Sequence, residues 1–91
     1  MVTAIVLIDV EADRIQEAAQ AIADLPGVDQ VWSCAGDVDL IAITSAAGHE
    51  EIAALVPGHI SKVDGVIRTV THIAFRSYSG RDTDDAFSIG S

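Results

Sequence analysis

The sequence is short of several things, and each shortage removes a class of function. A single cysteine, Cys34, rules out an internal disulfide and fits a reducing, cytoplasmic setting. No basic residue neighbours that thiol in sequence, so it reads as a small buried hydrophobe rather than a nucleophile. The first apolar run, VTAIVLIDV, is stopped by Asp9 and Glu11 before it could span a bilayer, and it lacks the basic leader of a secretory signal. Positive charge is scarce: 5 Lys+Arg stand against 14 Asp+Glu, for a net charge of −9. Arg14, Lys62, Arg68, Arg76 and Arg81 are scattered, so neither nucleic acid nor an anionic membrane is expected as a direct partner. Catalytic signatures are missing too. There is no Gly-x-Ser-x-Gly elbow and no phosphate-cradling Gly-Lys-Ser/Thr loop. His49, His59 and His72 match no zinc spacing, and Ser33, Ser45, Ser61 and Ser77 show no His/Asp constellation. No metal and no cofactor is expected.

Apolar residues, in contrast, make up 49% of the 91 residues, enough for one folded domain with a modest core. Residues 2–10 alternate β-branched and small apolar groups and read as a strand, apolar on both faces and therefore central. EADRIQEAAQAIADLPG reads as a helix with Ile15, Ala18, Ala19, Ile22 and Ala23 on its buried stripe, ended by Pro26-Gly27. VDQVWSCA and VDLIAITS are strands flanking a short hairpin connection at Gly36-Asp37. GHEEIAALVPGHISKV is a second helix, with Ile52, Ala53, Leu55, Val56 and Ile60 facing inward and Pro57 kinking or interrupting it. VIRTVTHIAF is a fourth strand. Residues 1–76 then form the domain, and residues 77–91 a polar tail with an apolar patch at 86–89.

The order βαββαβ gives an α+β, ferredoxin-like plan: a four-stranded antiparallel sheet with two helices on one face. LPGV and VDGV close the two helices and open the following strands, a topological pseudo-repeat. Two helices cover one sheet face only, yet the first and third strands are apolar on both. The uncovered face predicts a homodimer packed sheet to sheet about a two-fold axis.

Within 31–43, VWSCAGDVDLIAI, two acids stand where the chain turns back. Asp37 and Asp39 would share a face within a strand and would repel unless a cation, a metal or backbone N–H groups offset them. A solvated turn, with Asp39 bonding turn amides, is the plain alternative. Thr69 and Thr71 also share a face, as a hydroxyl pair or simply as good strand formers. Trp32 is either core or the apolar wall of a ligand site. Phe75, Tyr78 and Phe87 gather near the C-terminus, to pack the tail on the body or on another subunit.

LPGVDQVW, AGDVDLIAI and VDGVIRTVTHIAF together resemble the ligand-binding (RAM) domain of the Lrp/AsnC, or feast/famine, transcription regulators, up to about Arg76. The family pattern has Leu-Pro-x-Val before the second strand and Gly-x-x-Asp at the hairpin, here Gly36 and Asp39. It then has Pro-Gly-Val before a Thr-x-Thr strand, here Asp64-Gly65-Val66, Thr69 and Thr71. Asp64 stands where proline is common. Full-length members carry an N-terminal helix-turn-helix, and this chain starts directly at the first strand, so the resemblance implies a stand-alone RAM domain, a dimeric α+β barrel. It further implies a homodimer that assembles into an octamer-like ring. A small-molecule amino acid would bind at subunit interfaces, and a full-length Lrp/AsnC regulator is a possible partner. By that resemblance Asp39, with Asp37, would meet the ammonium and backbone N–H groups around Gly36 the carboxylate. Trp32 would wall the side chain, with Thr69 and Thr71 completing the site. Two rival readings are a small monooxygenase- or isomerase-like enzyme of the dimeric α+β-barrel class, using His72 and Tyr78, and an assembly module without a ligand.

Overall fold

The computed structural model describes residues 1–80. The expected patch at 86–89, including Phe87, lies outside the described residues. Strand β1 (Val2–Val10) leads through a 3₁₀ turn (Ala12–Arg14) into helix α1 (Ile15–Ala23), then strands β2 (Val28–Ser33) and β3 (Leu40–Ala46). Helix α2 (His49–Gly58), a second 3₁₀ turn (Ile60–Lys62) and strand β4 (Val66–Ala74) follow. The strands form one sheet in the order β2-β3-β1-β4, every neighbouring pair antiparallel, which is the α+β plan expected from the sequence.

Strand alternation sorts β1 onto two faces. Ala4, Val6, Ile8 and Val10 are 0–4% exposed and pack with Ala18 and Ile22 of α1, Ile52, Leu55 and Val56 of α2, and Ile60. Leu40 and Ala42 of β3 join the same core, and Thr44, also fully buried, satisfies its hydroxyl by donating to the Ala4 carbonyl at 3.1 Å. The buried helical stripes are narrower than the apolar spacing suggests. Ala23 and Ala53 are exposed, at the margins of their helices' buried stripes. Pro57 does interrupt α2. The helix stops at Gly58, one residue beyond the proline, and the chain re-enters the core through the 3₁₀ turn that buries Ile60.

The two βαβ halves hold each other at matching points. Each helix-to-strand turn contains a glycine with positive φ, 96° at Gly27 and 97° at Gly65. The Gly65 carbonyl accepts from the Glu11 amide at 2.9 Å, and the Gly27 carbonyl from the Ser45 amide at 2.9 Å. At Gly65 the approach is close enough that a Cβ would lie 2.8 Å from Cβ of Arg14, whose guanidinium pairs with Asp64 at 2.9 Å. Asp64-Gly65 thereby fastens the start of β4 to the start of α1.

Candidate functional site

Register places the side chains of the other sheet face in rows. Trp32, Ile41, Leu7 and Val70 form one row across β2, β3, β1 and β4; Gln30, Ile43, Ile5 and His72 form the next. Ile5, Leu7, Ile41 and Ile43 are half-buried, Val70 is 38% exposed and Trp32 57% exposed. Both helices pack on the opposite face, so no described element covers this apolar surface. Trp32 is thus neither core nor enclosed. One ion pair, Arg68 Nε to Asp9 Oδ2 at 3.3 Å, lies on this face beside the Leu7–Val70 pair.

The β2–β3 connection runs over residues 34–39, longer than the two-residue turn expected at Gly36-Asp37. Asp37 and Asp39 therefore sit in a loop rather than a strand, and strand alternation does not set which way they face. The loop closes at its base, where the Cys34 amide donates to the Asp39 carbonyl at 2.9 Å. Its tip is open: Gly36 has φ 136°, a conformation that favours glycine, and nothing within 4 Å of where a Cβ would be. Asp37 is exposed and has no side-chain partner among the described residues. Asp39 is half-buried; its Oδ2 accepts from the Val10 amide at 3.0 Å and its own amide donates to the Ile8 carbonyl at 3.1 Å. The plain reading of Asp39 foresaw a bond to turn amides; the amide it takes lies 29 residues away, on β1. Cys34 is half-buried rather than buried, its thiol directed at the Trp32 carbonyl at 3.7 Å.

Trp32, Gly36, Asp37 and Asp39 therefore gather at one end of the sheet. Thr69 and Thr71 do share a face, but it is the helix-bearing one, since they pair with Ile8 and Val6. They lie on the edge strand opposite to β2. Thr69 is half-buried, with its hydroxyl 3.4 Å from that of Ser61, and Thr71 is exposed. One protomer thus does not bring the threonines to Trp32. A shallow groove of about 610 Å³ also runs between α1 and β2, floored by Ile15, Ala19, Ala23 and Val31. No cluster of three or more potential metal ligands occurs among the described residues, and no helix among them is long and apolar enough to cross a membrane.

Known proteins share this architecture. Residues 3–83 match the Lrp/AsnC ligand binding domain, which extends past the Arg76 boundary suggested by the sequence motifs. An uncharacterised HTH-type transcriptional regulator of Pyrococcus furiosus is 37% identical over 76 residues, covering 80% of this chain and 51% of its own length. The chain thus spans about half the length of the curated relatives it matches. TTHA0845 from Thermus thermophilus superposes with a TM-score of 0.81 at 42% identity, over 87% of this chain and 99% of that one. The transcriptional regulator NMB0573 of Neisseria meningitidis, solved as a complex with L-Met, shares the fold at a TM-score of 0.77 and 12% identity, over 86% of this chain and 52% of its own. With the family match covering nearly all of the sequence, this chain belongs to the Lrp/AsnC family and carries its ligand-binding domain.

Proposed function

We propose that the domain is a cytoplasmic, amino-acid-responsive regulatory module that acts by binding rather than catalysis. It works as a homodimer that assembles further into an octamer-like ring, alone or together with a full-length Lrp/AsnC regulator that contacts DNA. The observation that carries the reading is the apolar face built on the Trp32–Ile41–Leu7–Val70 row, uncovered by any described element and ending at the open hairpin loop. A second copy packed on that face removes it from water, and the loop then lies at the border between subunits. An amino acid offers complementary chemistry there. Its ammonium is met by carboxylate on the loop that carries Asp37 and Asp39, a charge-assisted contact. Its carboxylate meets backbone N–H groups around Gly36, and its side chain lies against Trp32. Thr69 and Thr71, on the far edge and opposite face, join such a site only from another subunit. The methionine held by NMB0573 supports the choice of ligand class.

The test is oligomeric mass by light scattering, with thermal stability, for the protein alone and with each common amino acid at millimolar concentration. The reading expects a dimer or larger in every sample. It also expects a subset of amino acids that raise the melting temperature and change the mass, because a ligand that favours one assembly shifts the population toward it. A monomer at micromolar concentration, or indifference to every amino acid, refutes it.

A further inference from the structure

We propose that Asp39 is a positioning residue, a latch that ties the effector loop to the sheet, and that Asp37 is the carboxylate that meets the effector's ammonium. This rests on the reading of the loop as an amino-acid site and divides the labour of its two acids. Three bonds tie Asp39 to the framework. Its amide donates to the Ile8 carbonyl, its carbonyl accepts from the Cys34 amide, and its Oδ2 accepts from the Val10 amide at 3.0 Å. The last has a specific cause. The β1–β3 ladder ends at the pair Ile8–Leu40, and the β1–β4 register shifts between Asp9 and Val10. Val10, only 4% exposed, thus lies two residues beyond the last β3 pair and beside an irregularity in the β4 pairing, and it is the Asp39 carboxylate that takes its amide. An amide so placed and unpaired would carry a desolvation penalty, so the carboxylate stays on it.

Asp37 has the opposite surroundings: exposed, without a side-chain partner among the described residues, and next to the open Gly36 tip. A group already committed to the sheet holds the loop's base, and a group with free acceptors stands at its tip. That is the division a binding site needs when its contact residues sit on a loop.

The two roles predict different variants. Asp39→Asn keeps an oxygen acceptor for the Val10 amide while removing the charge; Asp39→Ala removes both; Asp37→Asn removes charge at the tip alone. Amide hydrogen exchange at Val10 and Cys34 reports the latch without any ligand. The amino-acid concentration giving half of the change in oligomeric mass reports the site. Asp39→Asn should stay within about threefold of the unsubstituted protein in both readouts. Asp39→Ala should speed Val10 exchange by about tenfold or more and raise the half-effect concentration. Asp37→Asn should raise that concentration about tenfold with exchange unchanged. Unchanged Val10 exchange in Asp39→Ala overturns the latch. A response lost in Asp39→Asn with exchange intact overturns the division of roles, because the charge of Asp39 is then what the effector feels. If the unsubstituted protein answers no amino acid, it is the effector reading that fails, and the latch is still decided by the exchange rates.

Discussion

Truncating Trp32 to alanine removes the largest exposed apolar side chain from the open sheet face, and its cost follows from the geometry. With the tryptophan 57% exposed in the protomer and taken as about 250 Å² in extent, about 140 Å² of it is open to coverage by a second copy in the proposed dimer. At about 25 cal/mol per Å², full coverage contributes about 3.5 kcal/mol. Discounting by about a third for incomplete coverage, and for the methyl that alanine keeps, leaves about 2 kcal/mol per protomer. A two-fold interface uses the residue twice, so the dimer should lose about 4 kcal/mol, or about three orders of magnitude in dissociation constant. The fold of each protomer should be little affected, because the side chain rests on the sheet surface rather than in the core. Sedimentation velocity over a dilution series, with circular dichroism to confirm unchanged secondary structure, reads the effect. A dissociation constant within about threefold of the unsubstituted protein would place Trp32 outside the subunit contact and refute the open face as the assembly surface.

Two further variants test the fold that carries the loop. Ile8→Val deletes one methylene from a fully buried position on a central strand, and should cost about 1 kcal/mol in urea unfolding. A loss above about 3 kcal/mol would mean that the core is more tightly fitted there than the packing implies. Gly65→Ala must adopt φ near 97° and place a Cβ 2.8 Å from that of Arg14, so a loss of about 2–4 kcal/mol is expected. A loss below about 1 kcal/mol would show that the start of α1 yields freely.

The architecture was readable because it rests on local patterns. The two-sided apolarity of residues 2–10 gave a central strand with the observed bounds, and Ile22, Ile52, Leu55 and Val56 faced inward as their spacing required. The finer arrangement of the loop was not readable, for a physical reason. Two acids flanking Val38 suggest a tight turn, but Asp39 belongs to β1 as much as to its own hairpin. Its partner, the Val10 amide, is 29 residues away and leaves no mark in the neighbouring sequence. Thr69 and Thr71 illustrate a second limit. Period-two spacing correctly puts both on one face, but which face depends on the pairing with Ile8 and Val6. Ala23 and Ala53 illustrate a third: alanine fits a helix margin as easily as its buried line, so periodicity alone widened both stripes.

The reciprocal glycine contacts bear on how the chain reaches this structure. Glu11 is held by Gly65 and Ser45 by Gly27, so each half of the domain finishes its own geometry only on the backbone of the other. The central strands also pair across the halves, β1 with both β3 and β4. Neither half is therefore a self-sufficient folding unit. Much of the native pairing waits on closure of long stretches of chain, which is entropically costly and makes folding slower than in topologies built from local contacts. The same interlock makes the domain a single cooperative body, in which a disturbance at one helix-to-strand turn is felt in both halves at once.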